Sequence, residues 1–150
     1  MVEHAYQNTL QMKIVLDTNC LLVSVQEYSD FFWLWQSFRD EKITLCYTTD
    51  ILNEYHEVLS YYFSVPFANT AIEEILLSPN TIPITVYYKW NLITADPDDN
   101  KFVDCAISAN ADYIVTNDKH FNILKMTEFP KVNVINIEQF IKIINQPPRP

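Results

Sequence analysis

Apolar residues along this chain follow two rhythms. Short β-branched runs alternate with longer stretches in which apolar positions recur every three or four residues. Lys13 to Asp17 reads as a buried strand, with Ile14-Val15-Leu16 closed off by Asp17-Thr18-Asn19. Ile43 to Tyr47 is a second strand, Ile82 to Tyr88 a third, Tyr113 to Thr116 a fourth and Val132 to Ile135 a fifth. Pro83 cannot donate to a ladder, so the third strand sits at an edge or starts there. Helices are predicted over 19–27, over 30–41 behind Ser29 or Asp30, and from a Thr48 or Thr49 cap through Tyr62. Others follow over 67–77 before Ser78-Pro79, from Asp96-Pro97 to Asn110, and over 138–144. Asp96-Pro97 has the form of an N-cap followed by proline in the first helical position. This alternation points to the α/β class, a central parallel sheet of four to five strands flanked by helices. A length of 150 residues fits one domain, with a core over 13–145, an N-terminal extension over 1–11 and a tail over 146–150.

Against this apolar pattern, a few acids stand out. Asp17 and Asp118 each follow a strand run, which brings them to the carboxyl edge of a parallel sheet, where such folds hold ligands. Either can also cap the helix that follows. On a helical wheel, Ile51, Leu52, Tyr55, Val58, Leu59 and Tyr62 share one arc; Glu54 borders it and Glu57 lies in the polar face. The stretch 98–110 has a very broad apolar arc, with Asp104 at its edge, one turn from Asn100. Asp99 points to the apolar side in the first turn, where capping is one role and reaching the cleft another. Carboxylates gathered at one edge repel unless a divalent cation binds them. The candidate catalytic set is therefore Asp17, Glu54, Asp104 and Asp118, with Asp17, Asp104 and Asp118 as metal ligands. Asn19, Asp99, Asn100 and Thr116 are candidates for orienting the carboxylates or a metal-bound water.

Composition narrows the chemistry. The chain has no glycine, where average usage gives about ten. That removes Gly-rich phosphate loops and dinucleotide fingerprints, and leaves positive φ to Asn and Asp, with Asn80, Asn110 and Asn117 as candidates. The net charge of −9 argues against binding nucleic acid by bulk electrostatics. Residues 1–88 hold 11 acids and 3 bases, whereas 89–150 hold 8 acids and 7 bases. Contact with RNA then falls to a metal and to local lysines: Lys101, Lys119 and Lys125. Cys20, Cys46 and Cys105 lie in apolar stretches and read as buried thiols of a reducing cytoplasm. His4, His56 and His120 show no zinc spacing with them. No apolar run is long enough to span a membrane, and no signal-peptide pattern opens the chain. The aromatic sets Phe31-Phe32-Trp33-Leu34-Trp35 and Tyr61-Tyr62-Phe63 exceed what one helix face buries, so part of them is expected at an interface.

Three segments carry a resemblance. Lys13-Ile-Val-Leu-Asp-Thr-Asn19 resembles the opening strand of PIN domains, and Thr49-Asp-Ile-Leu-Asn-Glu-Tyr55 the helix that bears their second acid. Asp96-Pro-Asp-Asp-Asn-Lys-Phe-Val-Asp-Cys-Ala106 with Ala111-Asp-Tyr-Ile-Val-Thr-Asn-Asp118 is similar to the C-terminal signature of PIN-family toxins. The resemblance spans 13 to 136 and implies a Rossmann-like fold and an Mg2+- or Mn2+-dependent ribonuclease. It further implies an RNA substrate, a cognate protein antitoxin and a homodimer. By position, Asp17, Glu54, Asp104 and Asp118 match the family's acidic quartet, with Asp99 as an extra acid. Asn110 and Asn117 stand where relatives place glycine, and Asp104 where similar sequences have Glu. The rivals are a PIN fold that only binds a partner or RNA, and a receiver-like module. The latter wants adjacent acids after the first strand, where this chain has Thr18-Asn19.

Overall fold

The computed structural model describes residues 11–146; the predicted extension and tail fall outside them except at Gln11 and Gln146. Five parallel strands form one sheet in the order β3-β2-β1-β4-β5. They are β1 (Met12–Leu16), β2 (Ile43–Tyr47), β3 (Thr81–Pro83), β4 (Tyr113–Val115) and β5 (Val134–Ile135). The helices are α1 (Thr18–Ser24), α2 (Phe32–Arg39), α3 (Thr49–Tyr62), α4 (Val65–Leu77), α5 (Asn100–Ala109) and α6 (Ile137–Ile144). The predicted architecture is the one observed. Strand β2 is buried along its whole length, and Ile14, Val15, Ile114 and Val115 are fully enclosed. Burial on both faces is why these strands read as unbroken apolar runs rather than alternating ones.

Element ends follow local chemistry. Thr48 caps α3 by accepting from Ile51 N, and Ser64 caps α4 by accepting from Phe67 N, so α4 begins two residues before its predicted start. Asn136 and Gln139 form a reciprocal capping box on α6. Strand β3 stops at Pro83, well short of the predicted Tyr88. Its partner β2 ends at Tyr47, where the chain turns into α3, so after the bond from Ile84 N to Tyr47 O (2.7 Å) no ladder remains. A 3-10 helix over Lys119–Met126 lies outside the predicted elements; its buried positions, Phe121 and Leu124, are three apart and too short a run to give a helical period.

Without glycine, positive φ falls to Glu41 (58°), Asn91 (52°) and Asn110 (51°) among the described residues. Asn110 was expected there; Asn80 and Asn117 were not found there, and Glu41 breaks the expected restriction to Asn and Asp. Asn80 instead donates its amide to Phe38 O and Ile43 O, both at 2.8 Å, and Asn117 accepts from Ile137 N. Asn110 ends α5 in the left-handed conformation, its N–H returning to Ala106 and Ile107. Asn110→Gly is expected to be neutral or mildly stabilising and Asn110→Val destabilising, since a β-branched residue tolerates φ > 0 poorly. Thermal denaturation of the two variants checks this.

Candidate active site

The strand order reverses at β1 and β4, which makes their carboxyl ends the switch point of the sheet, the usual ligand crevice of such folds. Asp17 leaves β1 there and Asp118 follows β4. Both acids are caps and cleft residues at once. Asp17 caps α1 and accepts from Asn19 N at 3.4 Å; Asp118 caps the 3-10 helix and accepts from His120 N at 2.8 Å. Thr116 ties the two together. Its buried hydroxyl donates to Asp17 Oδ2 at 2.6 Å and accepts from Asp118 N at 3.0 Å. Asn19 itself is exposed, and its contribution to Asp17 is made by the main chain.

Asp99 is the third carboxylate of this group. It is 9 % exposed, and Asp118, Asp96 and Asp17 all act on its charge. It does not cap α5; Asp96 caps the 3-10 turn Pro97–Asp99 by accepting from Asp98 N. Asp99 Oδ2 is buried with no hydrogen-bond partner. The His120 Nδ1 atom approaches both Asp99 Oδ2 and Asp118 Oδ1, at 3.4 Å each. Glu54 comes from α3 and is held at both oxygens, by the Thr18 hydroxyl at Oε2 and by Lys101 Nζ at Oε1 (2.7 Å). The next residue, Tyr55, is fully buried and its phenol donates to Leu16 O, which pins α3 to the end of β1. Glu57, one turn on, is exposed, as the helical wheel predicts.

Asp104 keeps different company. Its Oδ1 accepts from Trp90 N at 3.1 Å, and the charge acting on it is that of Lys89. One turn earlier, Asn100 brackets Ile93, accepting from its N–H (2.9 Å) and donating to its carbonyl (2.8 Å). Asn100 and Asp104 thus pin the irregular segment 84–96 onto α5. They share a helix edge, as predicted, but that edge faces the loop. Asp118 and Asp17 act on the charge of Asp99, whereas Lys89 acts on that of Asp104.

Burial in the crevice raises the Asp17 carboxyl above the usual range; hydrogen bonds from Thr116 and Asn19 hold it back, and Asp118 and Glu54 push it further. Burial likewise lifts Asp99 to about 6, with Asp118, Asp96 and Asp17 adding to the rise. Carboxyls crowded this way, one with an orphaned oxygen, fit a hard divalent cation with oxygen ligands. The group whose ligand atoms all lie within 4.8 Å of one another among the described residues is Asp96, Asp99 and His120.

The raised carboxyl has a consequence for stability. Between the unfolded value near 4 and the folded value of about 6, the native state binds more protons than the unfolded chain. The ion-free protein should therefore gain stability as pH falls through 6 towards 4. Asp99→Asn should flatten that part of the profile, measured as melting temperature against pH in chelator.

The lysines proposed for substrate contact lie on either side. Lys101 lines a cavity of about 460 Å3 with Thr48, Thr85, Lys89 and Asn91, and Lys119 and Lys125 line a smaller one of about 130 Å3 beside Asp118. Thr18 and His120 were not singled out as site residues. Thr18 follows Asp17 directly and His120 comes two residues after Asp118, so adjacency to a strand-end acid was the available signal. The three cysteines are buried and free, with burial pushing Cys20 up to about 12 and Cys46 to about 11; they take no part in the site. No helix among the described residues is long and apolar enough to cross a membrane.

Comparisons with known proteins bear on the fold and the family. The chain superposes on a chain of VapBC2 from Rickettsia felis, solved bound to a promoter DNA fragment. The TM-score is 0.59 at 18 % identity, over 83 % of this chain and 98 % of that one. It superposes on a chain of DNA-bound VapBC from Salmonella typhimurium with a TM-score of 0.57 at 13 % identity, over 85 % and 99 %. For FitAcB from Neisseria gonorrhoeae the values are 0.52 at 16 %, over 83 % and 98 %. No curated protein sequence matches. A family model described as PIN domain matches residues 13–120, a span that runs from β1 through Asp17, Glu54, Asp99 and Asp118 to His120, and on that match the chain belongs to the PIN domain family.

Proposed function

We propose that this protein is a metal-dependent endoribonuclease that hydrolyses RNA phosphodiester bonds as the toxin of a toxin–antitoxin pair in the cytoplasm. The observation that carries this reading is the meeting of Asp17, Asp99 and Asp118 at the switch point, with Thr116 bridging two of them. Asp17, Asp99 and Asp118 would hold the ion, Mg2+ or Mn2+. When bound, it supplies an acidified water and positive charge against the phosphoryl oxygens. Thr116 holds the Asp17 carboxylate through its hydroxyl and the Asp118 main chain through the N–H it accepts, and His120 N holds the Asp118 carboxylate. Glu54 is fixed in place by Thr18 and Lys101. Lys101, Lys119 and Lys125 supply the local cations that an RNA backbone needs on a chain of net charge −9. In this reading Asp104 acts through the loop it holds.

A cognate antitoxin and a homodimer are supported by exposed aromatic surface: Tyr28, Tyr61 and Tyr62 are 99 %, 83 % and 63 % exposed, a residue class enriched at interfaces. Sedimentation of the purified chain reads the dimer directly. The functional reading is tested by incubating the protein with a pool of structured and unstructured RNAs, with Mn2+, with Mg2+ and with chelator. Cleavage that requires the ion supports it. RNA left intact under every ion overturns it in favour of a PIN fold that only binds.

A further inference from the structure

Lys101 breaks a local rule. It sits in the first turn of α5, where the helix dipole disfavours a cation. Its compensation is Glu54, whose Oε1 lies 2.7 Å from the ammonium, with both side chains about a quarter exposed. The other Glu54 oxygen is taken by the buried Thr18. Glu54 therefore has no oxygen left without a donor. For this carboxylate to ligate a divalent ion, a charge-assisted bond of good length in a partly buried setting has to break. Glu54 nevertheless belongs to the site, since its charge still acts on Asp17.

We propose that Lys101 is a built-in counter-cation for Glu54, which confines divalent-ion binding to the Asp17, Asp99 and Asp118 side and offers its remaining N–H donors to the phosphodiester. An ammonium carries three donors, and Glu54 is its hydrogen-bond acceptor among the described residues. Lys101 also lines the 460 Å3 cavity, which it shares with Lys89, Asn91, Asp98 and Asp104. Lysine in this place does two jobs: it neutralises the fourth acid without an ion, and it presents fixed positive charge to the substrate. This inference rests on the reading of the crevice as a nuclease site, but its primary test does not depend on cleavage.

The test counts bound Mn2+ by calorimetric titration and electron paramagnetic resonance in the full chain. The variants are Glu54→Gln, Lys101→Met and the double variant, each checked for folding by circular dichroism. The expected result is that Glu54→Gln binds as many ions as the wild type. Lys101→Met should bind one more, and the double variant should lose that extra ion. A wild-type ion that disappears in Glu54→Gln overturns the proposal, as does a folded Lys101→Met with an unchanged count. If Lys101→Met fails to fold, the comparison of wild type with Glu54→Gln still decides. In the cleavage assay, Lys101→Met should lower kcat by about a hundredfold, the loss typical of one preorganised donor to developing charge, with Lys101→Arg recovering part of it. Absence of cleavage by the wild type would sink the nuclease reading while leaving the ion count as the measure of this one.

Discussion

Asp17→Asn and Asp118→Asn should each lower Mn2+-dependent RNA cleavage by about a hundredfold or more, since each removes a charged ligand whose metal contributes several kcal/mol to the transition state. The fold should survive both changes. An asparagine at 17 keeps an oxygen for the Thr116 hydroxyl, and one at 118 keeps an oxygen for His120 N. Glu57→Gln, exposed one turn beyond Glu54, should cleave like the wild type. The same variants carry a second readout. In the wild type, Mn2+ should raise the melting temperature as the site fills. In Asp17→Asn that response should vanish, while the ion-free protein melts higher, because a buried carboxylate beside other acids has been made neutral. Equal cleavage by Asp17→Asn and Glu57→Gln would mean that the site is misplaced. A melting temperature insensitive to millimolar Mn2+ would mean that no ion binds there.

What the sequence made legible, and what it hid, divides along a physical line. Strand runs are buried on both faces, so Ile14-Val15-Leu16 and Ile114-Val115 announce themselves by composition alone. The acids that follow them inherit that clarity, because Asp17 directly after β1 and Asp118 three residues after β4 have little chain in which to leave the sheet's edge. Helix-borne acids are harder to place. A wheel reports the angle of a residue about its own axis, and for Glu54 this suffices, since its neighbour Tyr55 in the apolar arc is bonded to Leu16 O at the end of β1. For α5 the arc is so broad that angle does not choose a neighbour. Asp104 and Asn100 share an edge, yet that edge meets the segment 84–96, whose course has no periodic signature. The pairing of Lys101 with Glu54 spans 47 residues and two helices, and no spacing rule anticipates it. Thr18 is hidden for a plainer reason: a threonine after a strand-end acid reads as turn chemistry until its partner is known.

The sharpest test of the site separates two acids five residues apart on one turn-and-helix. Asp99→Asn should abolish cleavage to the same degree as Asp17→Asn, because Asp118 and Asp17 act on its charge and its buried Oδ2 has only His120 Nδ1 beside it, at 3.4 Å. It should also make the ion-free protein more stable at neutral pH, by removing a carboxyl that is ionised there at a cost. Asp104→Ala should do the reverse. It leaves Trp90 N without its acceptor, which costs about 1 kcal/mol and lowers the melting temperature by about 2–4 °C in a domain of this size. Its metal-induced thermal shift should persist, and Asp104→Asn, which retains an acceptor for Trp90, should restore most of the stability. Cleavage by Asp104→Ala should fall only as far as loosening of the 84–96 segment disturbs the cavity wall. The measurement that decides is the Mn2+-induced shift in melting temperature of Asp99→Asn against Asp104→Ala. If the shift is lost in Asp104→Ala and kept in Asp99→Asn, the helix edge supplies the ligand and the first turn does not, and the reading of the crevice must be redrawn around Asp104.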